Sequence, residues 1–368
     1  MRIAIDATPL LLRSAGVKSY FHYWLASLRR EAAQQDAILT FPLRGGFGEL
    51  DHERSMASLP RTVAGLAMMH GLNVSRLPWT LPGLDIFHTS GHCRNPPRRA
   101  KLTATIHDMT CWTMPELHSQ ANVALAHRFG DAIARRADGL VAVSESTRRD
   151  AIRILGLAPE RIEVVYPGVP EPFFAVTAAD VHAARARYKL ERPYLLSLGT
   201  VEPRKNIPGL LEAYSQLSPS TREEYELVVA GPIGWADRAT VARLRSMAEG
   251  VRYLGYVPEA DLPGITAGAA LLAYPSFYEG FGFPVAQAMA VGTAVLTSNV
   301  SSLPEVAGDA ALLVDPHSQA EMRDGLERLL TSPALRERLG GEGRLRARLF
   351  RWQTNARRSL EWFRKVAG

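Results

Sequence analysis

The strongest constraint on this chain is an alternation that occurs twice. Short runs of aliphatic and β-branched residues are separated by stretches of helical length. In the first half the runs are Ile3–Ala7, Ala37–Phe41, Ile86–Thr89, Leu102–Ile106, Leu140–Ser144 and Ile162–Tyr166. In the second half they are Tyr194–Leu198, Glu226–Ala230, Arg252–Leu254, Ala270–Tyr274, Ala294–Thr297 and Ala311–Leu313. Val17–Glu31 and Gln120–Arg136 are typical of the helical stretches between them. Strands that are apolar on both faces and separated by helices imply parallel sheets covered on both sides. The predicted fold class is therefore α/β, with two doubly wound parallel-sheet domains facing a central cleft. A ligand would lie in that cleft, at the carboxyl ends of the strands.

The seam between the halves is Pro167–Pro193, where Pro167, Pro170, Pro172 and Pro193 bracket a polar, alanine-rich stretch expected to be helical. Prolines interrupt strand and helix alike, so the segment reads as a linker between domains over 1–172 and 173–349. From about Leu335 onward the sequence is helical and has no strand. Trp352, Trp362 and Phe363 recur there at helical spacing. A single tail helix, with residues of about 350–368 packing back on the first domain, is expected.

The composition, 46% hydrophobic and 22% charged over 368 residues, excludes a disordered chain, a collagen and a coiled coil. Two cysteines, Cys93 and Cys111, exclude a disulfide scaffold and fit a reducing compartment. No apolar run reaches the roughly 18 residues of a membrane span. The opening MRIAIDATPLLL places Asp6 inside its apolar run, which is not the layout of a signal peptide. A cytoplasmic protein is expected. The net charge of +6 fits an arginine-rich surface, an anionic ligand or an anionic membrane. Nucleic acid is not an expected partner, because no binding module and no dominant basic block occurs.

Four segments carry chemistry. Gly199-Thr200-Val201-Glu202-Pro203-Arg204-Lys205-Asn206 follows an apolar strand and precedes a helical stretch. That places a bidentate guanidinium and a mobile ammonium beside a helix start, a combination suited to a diphosphate. Pro275-Ser276-Phe277-Tyr278-Glu279-Gly280-Phe281-Gly282-Phe283-Pro284 also joins a strand to a helix, Val285–Val291. Its glycines permit close backbone approach to a ligand. Glu279 suits hydroxyl groups rather than phosphate. An acid beside a phosphate-binding turn matches the needs of a sugar nucleotide. His107-Asp108 ends a strand in the first half, with Asp108 read as a cap or orienting group. Ser14-Ala15-Gly16-Val17-Lys18 precedes the first long helix, where Gly16 would let the helix start approach a ligand.

With these segments in view, the chain resembles the retaining, nucleotide-sugar-dependent glycosyltransferases of family four. These have the GT-B architecture of two Rossmann-like domains. GTVEPRKN, LVVAGPIGW, LGYVPEADL, YPSFYEGFGFPVAQAMAVGTAV and SNVSSLPEVAGDAALLVDP carry the likeness in the donor half. MRIAIDATPLL, Gly16-Val17 and TIHDMTCWTMPE carry it in the acceptor half, and a divergent stretch runs from about Arg44 to Pro82. SNVSSLPEVAGDAA is most similar to the mannosyltransferase-like branch that assembles O-antigen and exopolysaccharide.

The resemblance implies roles residue by residue. Arg204 and Lys205 would hold the donor diphosphate, within a loop opened by Gly199. Glu279 would bond the donor sugar, and Gly280, Phe281 and Gly282 would support phosphate and sugar through the backbone. His107 would meet the sugar near its 6-hydroxyl, Gly16 would lie over the phosphates, and Tyr256 and Val257 would flank the base. The implied donor is GDP-mannose, with a UDP-sugar as the alternative. The implied acceptor is a saccharide or a polyprenyl-linked saccharide. Such an acceptor would draw the protein to the inner face of the cytoplasmic membrane, where Arg29-Arg30, Arg98-Arg99-Lys101, Arg135-Arg136 and Arg148-Arg149 could meet anionic lipid. No metal is expected, since the two cations can offset the leaving charge and no Asp-x-Asp motif occurs.

One position departs from the pattern. The family usually places a second glutamate eight positions after the first, where it grips the ribose, and here that position is Gln287. An amide keeps an acceptor and loses the charge. The change is the one support for an alternative reading, a non-catalytic nucleotide-sugar-binding homologue; a second alternative, another enzyme on the same architecture, is a sugar-nucleotide epimerase.

Overall fold

A computed structural model describes residues 1–11, 16–41, 67, 83–91, 93, 96–246 and 250–368. The chain forms two units. The first is Met1–Gly168 together with Arg351–Gly368, and the second is Val169–Phe350.

The first unit holds a parallel sheet of six strands, β1 (Arg2–Asp6), β2 (Ala37–Phe41), β3 (Ile86–Thr89), β4 (Lys101–Ile106), β5 (Gly139–Ala142) and β6 (Ile162–Val164), in the order β2-β1-β3-β4-β5-β6. The order turns back at β1, so the switch point lies between β1 and β3. At their carboxyl ends the buried Asp6 carboxylate accepts hydrogen bonds from the Thr89 hydroxyl at 2.7 Å and the Thr8 amide at 3.0 Å. One side of this sheet is sealed by Phe87, Leu102, Ile133, Leu140 and Leu155.

The second unit holds β7 (Tyr194–Leu198), β8 (Glu226–Ala230), β9 (Val251–Gly255), β10 (Leu271–Tyr274), β11 (Ala294–Ser298) and β12 (Leu312–Val314). Every pairing is parallel, and the order is β12-β11-β10-β7-β8-β9. The chain winds outward from β7 to β9, then returns to the other side of β7 as β10. The switch point therefore falls between β7 and β10, and open α/β sheets bind ligands outside the carboxyl ends of such a pair. Leu195, Leu227, Leu271 and Leu296 on the strands meet Leu210, Leu211, Met322 and Leu326 on the flanking helices in one apolar core.

The observed chain bears out two of the helical readings and revises a third. The stretch Gln120–Arg136 is helical as expected, α-helical over Gln120–Phe129 and continuing without a break into a wider π turn over Gly130–Ala134. At Gly130, where the winding changes, an added Cβ would meet the Trp112 ring at 2.9 Å. The proline-bounded segment 167–193 is helical in its alanine-rich part, as expected. It contains a helix, Ala178–Arg187, opened by a reciprocal Thr177–Asp180 capping box. That helix packs on Leu262–Ala267, where Gly264 lies against the Asp180 carbonyl and Ala184.

The tail, read as a single helix, is two, Pro333–Ala347 and Trp352–Ala367. The first belongs to the second unit, where Gly340 and Gly343 bring its backbone against Gly292 and Met289. The second packs on the helix Gly16–Glu31, with Trp24 Nε1 donating to Ser359 Oγ at 3.1 Å. Phe350 buries against Phe281 in the second unit, whereas Trp352 buries against Tyr20 in the first. One continuous helix would not serve both positions. Among the described residues no helix is long and apolar enough to cross a membrane.

Candidate active site

The site is built on the carboxyl ends of β7 and β10. After β7 the chain passes Gly199, at φ 137°, and makes one turn of 3-10 helix over Pro203–Lys205. Asn206, at φ 54°, then starts the helix Ile207–Ser215, and its buried amide donates to the Pro316 carbonyl at 2.8 Å. After β10 the loop Pro275–Gly282 leads into the helix Phe283–Val291. The two loops are tied directly, because the Phe277 amide donates to the Arg204 carbonyl at 2.9 Å.

This brings Arg204, Lys205 and Glu279 together. Arg204 Nη1 lies 2.6 Å from Glu279 Oε2 and donates to the Tyr278 carbonyl at 2.7 Å. Lys205 Nζ donates to Glu279 Oε1 at 2.5 Å. Each of the three side chains keeps no more than 13% of its surface in solvent, so the pairs are little screened. Burial alone would raise the Glu279 pKa, but Arg204 and then Lys205 hold it down at about 2. Burial and the Arg204 charge lower that of Lys205, against the pull of Glu279 and Glu202.

The loop itself is pinned. The Ser301 hydroxyl accepts from the Glu279 amide at 2.9 Å, and the Ser302 hydroxyl lies 2.9 Å from both the Glu279 and Phe281 carbonyls. Phe281 is buried edge-to-face against Phe283 and Phe350. Gly280 is buried as well. Gly282, at φ 100°, is the residue before the helix, and a Cβ there would lie 2.7 Å from Leu303. Gln287 is half-buried on the second turn of the same helix. Tyr256 follows β9 and is 54% exposed, while Val257 beside it is buried.

The remaining residues belong to the first unit. His107 follows β4 with Tyr20 edge-on at 4.9 Å, and among the described residues its enclosed Nε2 has no hydrogen-bond partner. Burial lowers its pKa to about 4, with Asp108 opposing, so the imidazole is neutral near pH 7. Asp108 accepts from the Thr110 amide at 3.1 Å and the Thr110 hydroxyl at 2.6 Å, which ties the turn ahead of the short helix Thr110–Thr113. Gly16 is exposed at the start of its helix, and among the described residues an added Cβ would meet nothing within 4 Å. Ser14 and Ala15 lie outside the described residues, as does nearly all of the divergent stretch from Arg44 to Pro82.

Two members of the cluster escaped the sequence. Glu202, only 6% exposed, lies 2.6 Å from Arg204 Nη2. Its signal was the alternation of charge in Glu-Pro-Arg-Lys. Tyr274 ends β10 and puts its hydroxyl between Lys205 and Glu279. A polar-tipped aromatic as the last residue of an otherwise aliphatic strand was the available clue.

Comparison with known proteins agrees with this geometry. The profile "Glycosyltransferase Family 4" matches residues 15–171, and "Glycosyl transferases group 1" matches 181–346. O-antigen chain mannosyltransferase B of Escherichia coli is 34% identical over 307 residues, covering 82% of this chain and 81% of the relative. The chain belongs to glycosyltransferase family 4. A second relative, the serotype-specific mannosyltransferase WbdA of Escherichia coli, is 30% identical over 63% of this chain. The match spans only 29% of that longer protein. Among solved structures, the fold of this family 4 glycosyltransferase matches sucrose-phosphate synthase of Thermosynechococcus elongatus with a TM-score of 0.75 at 20% identity, covering 100% of this chain and 99% of that one. The paired parallel sheets are thus those of the GT-B architecture.

Proposed function

We propose that this glycosyltransferase moves mannose or a related hexose from a nucleotide diphosphate sugar to a saccharide or lipid-linked saccharide, in assembly of a bacterial surface polysaccharide. The observation that carries the reading is the Arg204–Lys205–Glu279 cluster at the β7–β10 switch point. A diphosphate gains negative charge as its bond to the sugar breaks. Two buried cations held in place by protein partners stabilise that charge without reorganising. Glu279, kept ionised, accepts from sugar hydroxyls. The family resemblance and the two mannosyltransferase relatives support the sugar class and the pathway.

The reaction we propose retains the anomeric configuration. An acceptor hydroxyl attacks the anomeric carbon on the face the leaving group departs from. The carbon–oxygen bond to the β-phosphate breaks, and a phosphate oxygen takes the acceptor proton. Neutral His107, with its enclosed and unpartnered Nε2, would serve as a hydrogen-bonding group for the sugar. No metal is required, because the two cations meet the leaving charge. Exposed Arg29, Arg30, Arg98, Arg99, Arg136 and Arg149 of the first unit would hold the protein to an anionic membrane surface.

The test is incubation of GDP-mannose, with UDP-sugars in parallel, with and without a mannosylated acceptor, followed by NMR of the product. An α-linked product formed only with acceptor, and undiminished by EDTA, is expected. Turnover of donor alone would point to an epimerase or hydrolase. An inverted anomer would overturn retention. Sedimentation with anionic liposomes tests the membrane contact.

A further inference from the structure

We propose that the Tyr274 hydroxyl is a positioning group for sugar transfer, which locks the Lys205 ammonium and the Glu279 carboxylate into the single arrangement that meets the donor. This inference rests on the reading that the cluster binds a sugar nucleotide.

The side chain of Tyr274 is 2% exposed and emerges at the switch point itself. Its oxygen is within hydrogen-bond reach of Lys205 Nζ, and 2.8 Å from Glu279 Oε1. Lys205 Nζ is also 2.5 Å from that same Oε1 and lies 4.8 Å from the centre of the Tyr274 ring. The three groups form a closed triangle. A phenol has one proton, an ammonium only donates, and a carboxylate only accepts. One assignment satisfies every contact: Lys205 donates to the phenol oxygen, and the phenol donates to Glu279. Burial and the Glu279 charge raise the phenol pKa well above its ordinary 10, so this assignment persists over the working pH range.

The triangle matters because a lysine side chain loses much rotamer freedom when it is held. Lys205 faces Arg204, a like charge, and the carboxylates Glu202 and Glu279. Without the phenol oxygen the ammonium has one acceptor fewer, in a buried place that already disfavours its charge. It then fixes less firmly on one point, and preorganisation of the charge is what transfer draws on.

Tyr274→Phe removes the oxygen and keeps the ring. It is assayed with GDP-mannose and UDP-glucose as donors, and with GDP and UDP by calorimetry. The expected result is a kcat at least tenfold lower, an unchanged acceptor KM and a melting temperature within a few degrees of wild type. The alkaline limb of kcat/KM should move to lower pH, because the ammonium is less stabilised. Adding Tyr274→Phe to Lys205→Ala should weaken diphosphate binding no further than Lys205→Ala alone. Lys205→Arg, which keeps the charge but cannot occupy the same corner, should lose a similar factor in kcat. A wild-type kcat and pH profile in Tyr274→Phe would overturn the proposal, as would additive losses in the double variant or full activity in Lys205→Arg. A wild-type protein that turns over neither donor and binds neither diphosphate would instead remove the functional reading, and this inference with it.

Discussion

Arg204 and Glu279 face each other at 2.6 Å, with Glu202 on the other side of the same guanidinium. The cations that would meet a diphosphate are therefore already matched by two carboxylates. A ligand arriving with further negative charge must compete with Glu279 for Arg204 and Lys205, or add itself to the pair. Either way the cations are fixed before it arrives.

Loss of one fixed donor of this kind lowers turnover by about 10²-fold or more. Lys205→Ala is expected to show that loss in kcat, in a transfer assay with GDP-mannose. Wild-type turnover in this variant would refute the diphosphate role.

Gln287 carries the opposite prediction. A charge-assisted hydrogen bond contributes about 1.5–3 kcal/mol and a neutral one about 1. Gln287→Glu should therefore tighten nucleotide-sugar binding by roughly 2- to 30-fold, read by calorimetry. Unchanged affinity would mean that position 287 does not touch the ribose.

His107 sets a pH dependence. Its folded pKa of about 4 lies below the ordinary 6.5, so the folded state disfavours the proton. The stability contributed by the neutral imidazole is complete above about pH 6.5, and is lost as pH falls from there through 4. Melting temperatures measured across that window should fall less steeply for His107→Gln than for wild type. Parallel curves would show that His107 takes up its proton as readily in the folded state as in the unfolded one.

Two glycines separate packing from binding. Gly231, at φ 140°, rests on the Gly199 carbonyl, where any Cβ would collide with backbone. Gly231→Ala should lower the melting temperature by several degrees and weaken donor binding, because it displaces the loop that leads to Arg204. At Gly16 there is open space, so Gly16→Ala should leave stability unchanged or slightly raised. Reduced donor affinity in Gly16→Ala, with stability intact, would assign that residue to the ligand.

The strands were legible because their aliphatic runs are bounded by polar or glycine residues. Tyr194–Leu198 and Glu226–Ala230 form as read, and Ala311–Leu313 is displaced by one residue to Leu312–Val314. The cluster was legible in part, since Arg204, Lys205 and Glu279 are charged residues set just beyond apolar strands. Glu202 and Tyr274 were not, because their importance comes from the pairing of β7 with β10, which no local pattern encodes. The break in the tail was hidden for a similar reason. Leu349, Phe350 and Arg351 contain no helix breaker, and only the separate burial of Phe350 and Trp352 explains why the helix stops.

The amide of Val169 donates to the carbonyl of Phe350 at 2.9 Å, so the second unit begins and ends at one hydrogen bond. It is an insert within the first unit, with neighbouring termini. A segment of that kind can be excised, exchanged or replaced as a cassette, leaving the remaining fold a short gap to close. If the function proposed above holds, recombination at Gly168 and Arg351 would exchange the half that carries Arg204, Lys205 and Glu279 and leave the other half as it is.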